Sequence, residues 1–162
     1  MFTAIAPRYD FLNQLLSFGC DSRWRKTMVD MLAPKRGERF LDVATGTADI
    51  ALEIASRGPG VKIAGVDFSH RMVEVGKRKI VGRNLRNAID LQVGDGERLP
   101  FADGVFHGAA CAFGIRNYAD IETGLAEIRR VLKSNGKIAI LEFSMPGNFI
   151  LKSTYRFYFN FM

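Results

Sequence analysis

The sequence predicts an α/β fold, with a doubly wound, mostly parallel sheet of five strands. Two observations predict it. Short apolar segments with a strand-like pattern alternate with longer segments of helical periodicity, which is the pattern of βαβ units. In addition, small or acidic residues follow several of the strand-like segments, where parallel sheets of this kind bind their ligands.

The five strand-like segments and three helix-like segments alternate along the chain. The expected strands are 39–44, 61–67, 89–94, 105–114 and 136–143, and the expected helices are 49–57, 69–84 and 120–132. Ser69 and Asp120 precede the second and third helices as expected N-caps. The expected buried positions are Met72, Val73, Gly76 and Ile80 on the second helix, and Ile121, Leu125, Ile128 and Leu132 on the third.

The chain is interpreted as one domain of 162 residues. Residues 1–33 are expected to form a helical lid, and residues 34–148 the cofactor-binding core. Residues 149–162 are rich in aromatic side chains and would have little to pack against in a five-stranded sheet. We therefore expect them to begin a C-terminal portion that continues past Met162, the alternative being a partner or membrane surface.

Composition and charge narrow the class of protein. No apolar run reaches the roughly 20 residues needed to span a bilayer, and the first residues lack a secretory pattern. Cys20 and Cys111 are far apart, without metal-ligand spacing, so we expect reduced thiols, a cytoplasmic location and no metal site. The net charge of +6 could favour nucleic acid, anionic lipid or an anionic metabolite, but the basic residues are scattered, which favours an ordinary solvated surface.

The first expected strand ends in "LDVATGTADI", which indicates a nucleotide-binding turn. Asp42 precedes the small residues 44–48, and a helix follows near Asp49. Small residues let backbone N–H groups approach a ligand, and a helix N-terminus favours an anion. The dinucleotide pattern G-x-G-x-x-G is absent, since Gly46 is the turn's only glycine, and this argues against NAD or FAD.

Acidic residues also end the second and third expected strands. Asp67 is placed to accept hydrogen bonds from ribose hydroxyls, and Asp95 with Gly96 to bind an adenine edge. This pattern favours S-adenosylmethionine, with Asp42 balancing its cationic end. Each aspartate could instead cap a neighbouring helix or turn.

These motifs, in this order, resemble the class I, Rossmann-like S-adenosylmethionine-dependent methyltransferases. The stretches that carry the resemblance are "LDVATGTAD", "VDFSHRM", "GDGERLPF" and "EIRRVLKSNGKIAILEF". "IAPRYDFLNQLLSFG", "FGIRN" and "LEFSMP" narrow it to the ubiquinone/menaquinone biosynthesis C-methyltransferases of the UbiE/MenG type. The resemblance implies methylation of a ring carbon on a prenylated quinol.

The resemblance also implies functional residues. Thr47 and Asp67 would contact the cofactor, and Asp95 and Gly96 would flank its adenine. The remaining expected cofactor-binding residues are Asp42, Gly46, Phe68 and Ala112, the last at a position that is often serine in relatives. Ala44, Thr45 and Ala48 stand where relatives have more glycine, so we expect a tighter turn.

Three residues are assigned to catalysis. Arg116 would favour the phenolate that makes the ring carbon nucleophilic, because a guanidinium is always cationic and rigid. Asn117 would orient the ring oxygen or a water, and Tyr9 on the lid would complete the pocket. A salt bridge from Arg116 to Asp120 or Glu142 is the structural alternative.

The expected partner is the prenylated quinol, with peripheral membrane contact through the basic charge and the aromatic tail. No nucleic acid is expected, because "FGIRN" replaces the Asn/Asp-Pro-Pro-aromatic motif of exocyclic-amine methyltransferases. A methyltransferase of another phenolic or lipid substrate, a non-catalytic S-adenosylmethionine-binding module, and a homodimer or biosynthetic complex stay open.

Overall fold

A computed structural model describes residues 20–142, which form a parallel sheet with helices on its faces. The strands are β1 (Arg39–Val43), β2 (Lys62–Asp67), β3 (Ile89–Val93), β4 (Phe106–Ala112) and β5 (Leu132–Leu141). The helices are α1 (Cys20–Leu32), α2 (Asp49–Arg57), α3 (His70–Gly82) and α4 (Ile121–Val131), with a 3₁₀ turn at Ile115–Asn117.

The strand order is β3-β2-β1-β4-β5, and every pairing is parallel. The order reverses at β1, because β2 lies on one side of it and β4 on the other. The carboxyl ends of β1 and β4 therefore flank a topological switch point, where such sheets bind ligands. The predicted fold class is confirmed.

Two apolar layers cover the sheet. Phe40 and Ile63 belong to the layer that packs under α1, α2 and α3. Leu41, Val43 and Ile128 belong to the opposite layer, under α4. Neighbouring residues of β1 thus point to opposite faces, and both are fully buried, as expected for a parallel strand covered on two sides.

The predicted helix α3 is confirmed in its cap and in its buried face. The Ser69 hydroxyl accepts a hydrogen bond from the backbone N–H of Met72 at 3.4 Å. The buried residues of this helix are Met72, Val73, Gly76 and Ile80, which is the predicted set.

The predicted apolar face of α4 is partly wrong. Ile128 is buried, but Ile121 and Leu125 are 46% and 36% exposed. Gly124 and Val131 are buried instead. The helix is rotated because the ring of Tyr118 packs against Gly124, where an added Cβ would lie 2.2 Å from the Tyr118 Cδ2 atom.

Strand β5 begins before its predicted start. It follows α4 directly at Leu132, where we expected it to begin at Gly136. Phe106 pairs with Leu132, whereas Gly108 pairs with Lys137, so extra residues of β5 bulge between those two pairs.

Some predictions lie outside the described residues, including most of the lid, Tyr9 and the segment 149–162. Among residues 20–142, no helix is long and apolar enough to cross a membrane. The same residues hold no cluster of three or more His, Cys, Asp or Glu side chains suited to a metal ion.

Candidate functional site

A cavity of about 390 Å³ opens at the carboxyl ends of β1, β2, β3 and β4. Its volume lies within the range of small-molecule sites. The lining residues are Ala44, Gly46, Val66, Asp67, Phe68, Ser69, Met72, Gly94, Asp95, Gly96, Glu97, Ala112, Phe113, Gly114, Asn117, Tyr118 and Ala119. Six of the eight predicted cofactor-binding residues are in this lining, namely Gly46, Asp67, Phe68, Asp95, Gly96 and Ala112.

The turn after β1 is held in a left-handed backbone conformation. Ala44, Gly46 and Ala48 have φ angles of 55°, 54° and 70°. A non-glycine residue in this region costs roughly 1–2 kcal/mol, so two alanines here store strain beside the cavity. The tightness that we expected of this turn has its physical basis in these angles.

Asp67 connects the turn to the next loop. Its carboxylate accepts hydrogen bonds from the backbone N–H groups of Gly46 at 2.7 Å and Ser69 at 2.8 Å. Burial raises the pKa of Asp67, although these two hydrogen bonds oppose the increase. Each carboxylate oxygen has a second lone pair, so Asp67 can also accept hydrogen bonds from a bound ribose.

Asp42 lies behind the turn and is not part of the cavity lining. Its Oδ2 atom accepts hydrogen bonds from the Thr45 hydroxyl at 2.6 Å and from the Ala51 N–H at 3.1 Å. Its exposed fraction is 1%, and burial raises its pKa to about 7. Asp42 therefore supports the turn from below through Thr45 and Ala51, while its predicted balancing of a cationic ligand stays a prediction.

Thr47 also faces away from the cavity. Its hydroxyl accepts a hydrogen bond from Lys79 Nζ at 2.8 Å, and the same ammonium group donates to Asp49 at 2.8 Å. Asp49 in turn pairs with Arg25 of α1 at 3.1 Å. This network fastens the start of α2 to α1 and α3, while the predicted cofactor contact of Thr47 stays a prediction.

Phe68 and Asp95 both line the cavity. Phe68 is 84% exposed, so its ring is available to stack on a ligand. Asp95 Oδ1 accepts a hydrogen bond from the N–H of Glu97 at 2.9 Å, which closes the turn after β3. The Glu97 carboxylate then accepts from the N–H groups of Ala119 at 2.7 Å and Asp120 at 3.0 Å.

Tyr118 is a lining residue that the sequence reasoning missed. Its hydroxyl is buried, and among the described residues it is the buried side-chain polar atom without a hydrogen-bond partner. The Cys111 thiol is close enough to contribute to the raised Tyr118 pKa, whose largest cause is burial, but sulfur is a weak acceptor. An added Cβ on Gly96 would lie 2.3 Å from this hydroxyl. Only glycine therefore fits at position 96.

The predicted catalytic residues follow β4 directly. Asn117 lines the cavity. Arg116 forms an ion pair with Glu142, which confirms the salt-bridge alternative for that partner. Asp120 instead caps α4, and its carboxylate accepts from the Glu122 N–H at 3.0 Å. The catalytic roles of Arg116, Asn117 and Tyr9 stay predictions.

Aromatic side chains surround the end of β4 on its α1 side. The rings of Trp24 and Phe113 meet edge to face, with centroids 6.4 Å apart. The Arg116 guanidinium lies 5.9 Å from the centroid of the same Phe113 ring. Phe113 has a φ of 56°, a strained angle of the kind that clusters at functional sites. In the sequence, the only indication that "FGIRN" belongs to a functional site is its position directly after a buried strand.

The comparisons with known proteins agree with this geometry. The sequence profile of the ubiE/COQ5 methyltransferase family matches residues 1–162. This chain belongs to that family.

Two curated relatives and one solved structure illustrate the similarity. Ubiquinone/menaquinone biosynthesis C-methyltransferase UbiE of Geotalea uraniireducens is 52% identical over 98% of this chain and 68% of its own length. Demethylmenaquinone methyltransferase of Thermus thermophilus is 45% identical over 98% of this chain and 71% of its own length. The structure of a putative S-adenosyl-L-methionine-dependent methyltransferase from Methanococcus maripaludis has a TM-score of 0.75 and 21% identity, over 98% of this chain and 71% of that one. The last similarity concerns the fold alone.

Proposed function

We propose that this member of the family transfers a methyl group from S-adenosylmethionine to a ring carbon of a prenylated quinol. The observation that carries the proposal is the cavity at the switch point. It combines Asp67, an acidic turn at Asp95 and an exposed aromatic ring at Phe68 with the 3₁₀ turn of "FGIRN". The names of the relatives, UbiE C-methyltransferase and demethylmenaquinone methyltransferase, support the substrate class.

The residues present fit S-adenosylmethionine. Asp67 would accept hydrogen bonds from the ribose hydroxyls, and Asp95 would accept from the adenine amine beside the bare backbone of Gly96. Phe68 supplies an apolar face for the nucleoside. When bound, S-adenosylmethionine supplies an electrophilic methyl group, and the residues that line the cavity would orient it.

The acceptor site would lie at the ends of β4 and β5. A quinol carbon becomes nucleophilic when the neighbouring oxygen is ionised, so a group that favours the phenolate accelerates transfer. Arg116 is placed one residue before the cavity-lining Asn117 and next to the Phe113 ring. In this proposal its guanidinium supports the developing oxyanion and Asn117 orients the oxygen.

The direct test uses the protein, S-adenosylmethionine labelled in its methyl group, and reduced demethylmenaquinone. We expect label on the quinone ring carbon. Binding of S-adenosylmethionine without transfer to any quinol would contradict the proposed activity and leave a binding module. Transfer to an unrelated phenol, with none to the quinol, would contradict the substrate class alone.

A second part of the proposal concerns the membrane surface. A prenylated substrate partitions into the bilayer, and the chain carries a net charge of +6. Basic residues are attracted to anionic lipid, with an interaction that salt screens. We expect the protein to co-sediment with phosphatidylglycerol-containing vesicles at low salt and less so at high salt. Equal recovery with purely zwitterionic vesicles would contradict an electrostatic contact.

A further inference from the structure

Glu142 is a carboxylate at the acceptor end of the site that the predicted catalytic set did not include. It directly follows β5, whose last residue, Leu141, pairs with Ala112 of β4. The Leu141 carbonyl accepts a hydrogen bond from the Phe113 N–H at 2.7 Å. Glu142 therefore lies beside the part of β4 that enters the cavity wall.

Its carboxylate is held in place from the 3₁₀ turn. The Arg116 guanidinium pairs with Oε1 of Glu142, and the Arg116 backbone N–H lies 3.5 Å from Oε2. The Glu142 side chain is only 21% exposed. Main chain and side chain of Arg116 thus contact both carboxylate oxygens, and Arg116 directly precedes Asn117, which lines the cavity although Glu142 does not.

The other carboxylates at this edge of residues 20–142 accept hydrogen bonds from backbone N–H groups. Asp67 accepts from Gly46 and Ser69, Asp95 from Glu97, and Asp42 from Ala51 of α2, while Glu97 accepts from Ala119 and Asp120, and Asp120 from Glu122. Unlike these carboxylates, Glu142 follows β5, and both of its oxygens lie against Arg116 of the 3₁₀ turn.

We propose that Glu142 is the base that removes the ring proton after the methyl group has been added. The proposal rests on the proposed function, because it assumes a quinol carbon as the acceptor. It assigns a proton acceptor to a step for which the predicted catalytic residues, Arg116, Asn117 and Tyr9, provide none.

Methyl addition and proton loss take place in turn at the same ring carbon. The ring carbon of the phenolate forms a bond to the methyl group, whose former bonding pair stays on sulfur, and the ring becomes a neutral dienone. That carbon now carries both its hydrogen and the new methyl. The C–H bond then breaks, its electron pair restores the aromatic ring and the phenolate, and the proton passes to a carboxylate oxygen of Glu142.

A carboxylate is a strong enough base to remove this proton. The C–H group of the dienone is a strong carbon acid, because loss of its proton restores the aromatic ring. Removing the hydroxyl proton of the quinol would demand a stronger base. In this proposal the Arg116 guanidinium favours the phenolate, and the Glu142 carboxylate receives the ring proton. Positioned proton transfer of this kind typically contributes about 10²- to 10⁴-fold to the rate.

The test compares Glu142→Gln with the unsubstituted protein, using quinol that carries deuterium at the methylated carbon. We expect kcat to fall by about 10²- to 10⁴-fold and a primary deuterium isotope effect to appear, since proton removal becomes rate-limiting. Calorimetry should show unchanged affinity for S-adenosylmethionine. Glu142→Asp, which keeps a carboxylate, should recover part of the rate.

Glu53→Gln is the matched control. Glu53 is also 21% exposed and also pairs with an arginine, Arg57, at 3.0 Å, but it lies on α2 away from the cavity. We expect it to leave kcat and the isotope effect unchanged. A Glu142→Gln protein with normal kcat, or with a loss that brings no isotope effect, would overturn the proposal. Methyl transfer by the unsubstituted protein, measured first, tests the proposed function separately.

Discussion

At the scale of the residue, Arg116 carries the main electrostatic role in the proposed transfer. Its guanidinium pairs with Glu142 and contacts the Phe113 ring, so its position is fixed from two sides. A rigid, pre-oriented donor needs little reorganisation when charge develops on a substrate oxygen.

We expect Arg116→Ala to reduce kcat by about 10²- to 10³-fold, the loss typical of one donor to an oxyanion. Affinity for S-adenosylmethionine should change little, because Arg116 is not among the residues that line the cavity. Steady-state kinetics and calorimetry measure the two quantities. Arg116→Lys keeps the charge but loses the planar fork. Its kcat should lie between those of the unsubstituted protein and Arg116→Ala. Equal losses in rate and affinity would remove the assigned role.

Tyr118 gives a second prediction at this scale. Among residues 20–142 its buried hydroxyl has no oxygen or nitrogen partner, only the weakly accepting Cys111 thiol nearby, and leaving such a group unsatisfied costs roughly 1–3 kcal/mol. We therefore expect Tyr118→Phe to raise the free energy of unfolding by about 1 kcal/mol in urea denaturation. Tyr118→Leu, which also removes the ring that packs on Gly124, should lower it. A destabilised Tyr118→Phe protein would mean that the hydroxyl is satisfied.

At the scale of the element, the turn after β1 stores strain. Ala44 has a φ of 55°, and its methyl group occupies the space next to Gly114, where an added Cβ would lie 2.3 Å from it. Replacing Ala44 by glycine relieves the left-handed strain but increases the entropy of the unfolded chain.

The strain relieved in the folded protein exceeds the entropy gained by the unfolded chain. We therefore expect Ala44→Gly to raise the free energy of unfolding by up to about 1 kcal/mol. The control is Ala55→Gly within α2, where the backbone is helical and glycine should cost about 1 kcal/mol. Denaturant unfolding of both variants measures the difference. A loss of stability for Ala44→Gly as large as that for Ala55→Gly would contradict the strain.

The sequence was most informative about elements whose pattern is local. The buried face and cap of α3 follow from the spacing of Met72, Val73, Gly76 and Ile80 and from Ser69. The face of α4 did not follow, because its rotation depends on Tyr118, a contact between side chains in different elements. Local periodicity contains no information about such a contact.

Some residues of the site could likewise be predicted from the sequence, and others could not. Asp67, Asp95 and Gly96 could be found from their places after strands, because the ends of parallel strands meet at one edge. Asp42 and Thr47 occur in the same motif but face away from the cavity. Side-chain direction in a tight turn depends on the φ angles at Ala44 and Ala48, which the residue types do not reveal.

At the scale of the whole molecule, one buried carboxyl couples stability to pH. Asp42 lies under the switch point of the sheet, between β1 and the first turn of α2, and is 1% exposed. Burial raises its pKa from the ordinary 3.8 to about 7. The folded protein therefore favours the protonated form, whereas the unfolded chain ionises at the ordinary value.

The direction of the pH effect follows from linkage. Below the unfolded pKa both states hold the proton, and the raised pKa has no effect. Between 3.8 and about 7 the unfolded chain releases its proton while the folded protein keeps it. Stability consequently falls as the pH rises through this window, and the loss is complete above the folded pKa.

We expect Asp42→Asn to remove this contribution, because the amide has a similar shape and does not ionise. Urea denaturation from pH 4 to 8 should show a flatter pH dependence for the variant, with its largest gain relative to the unsubstituted protein above about pH 7. Asp90→Asn on the exposed side of β3 is the control and should follow the unsubstituted protein. If the two curves for positions 42 and 90 stay parallel across the range, the carboxyl of Asp42 does not titrate in this window. A bound S-adenosylmethionine would then meet the same charge beneath the turn at every pH, and its affinity should be independent of the Asp42 proton.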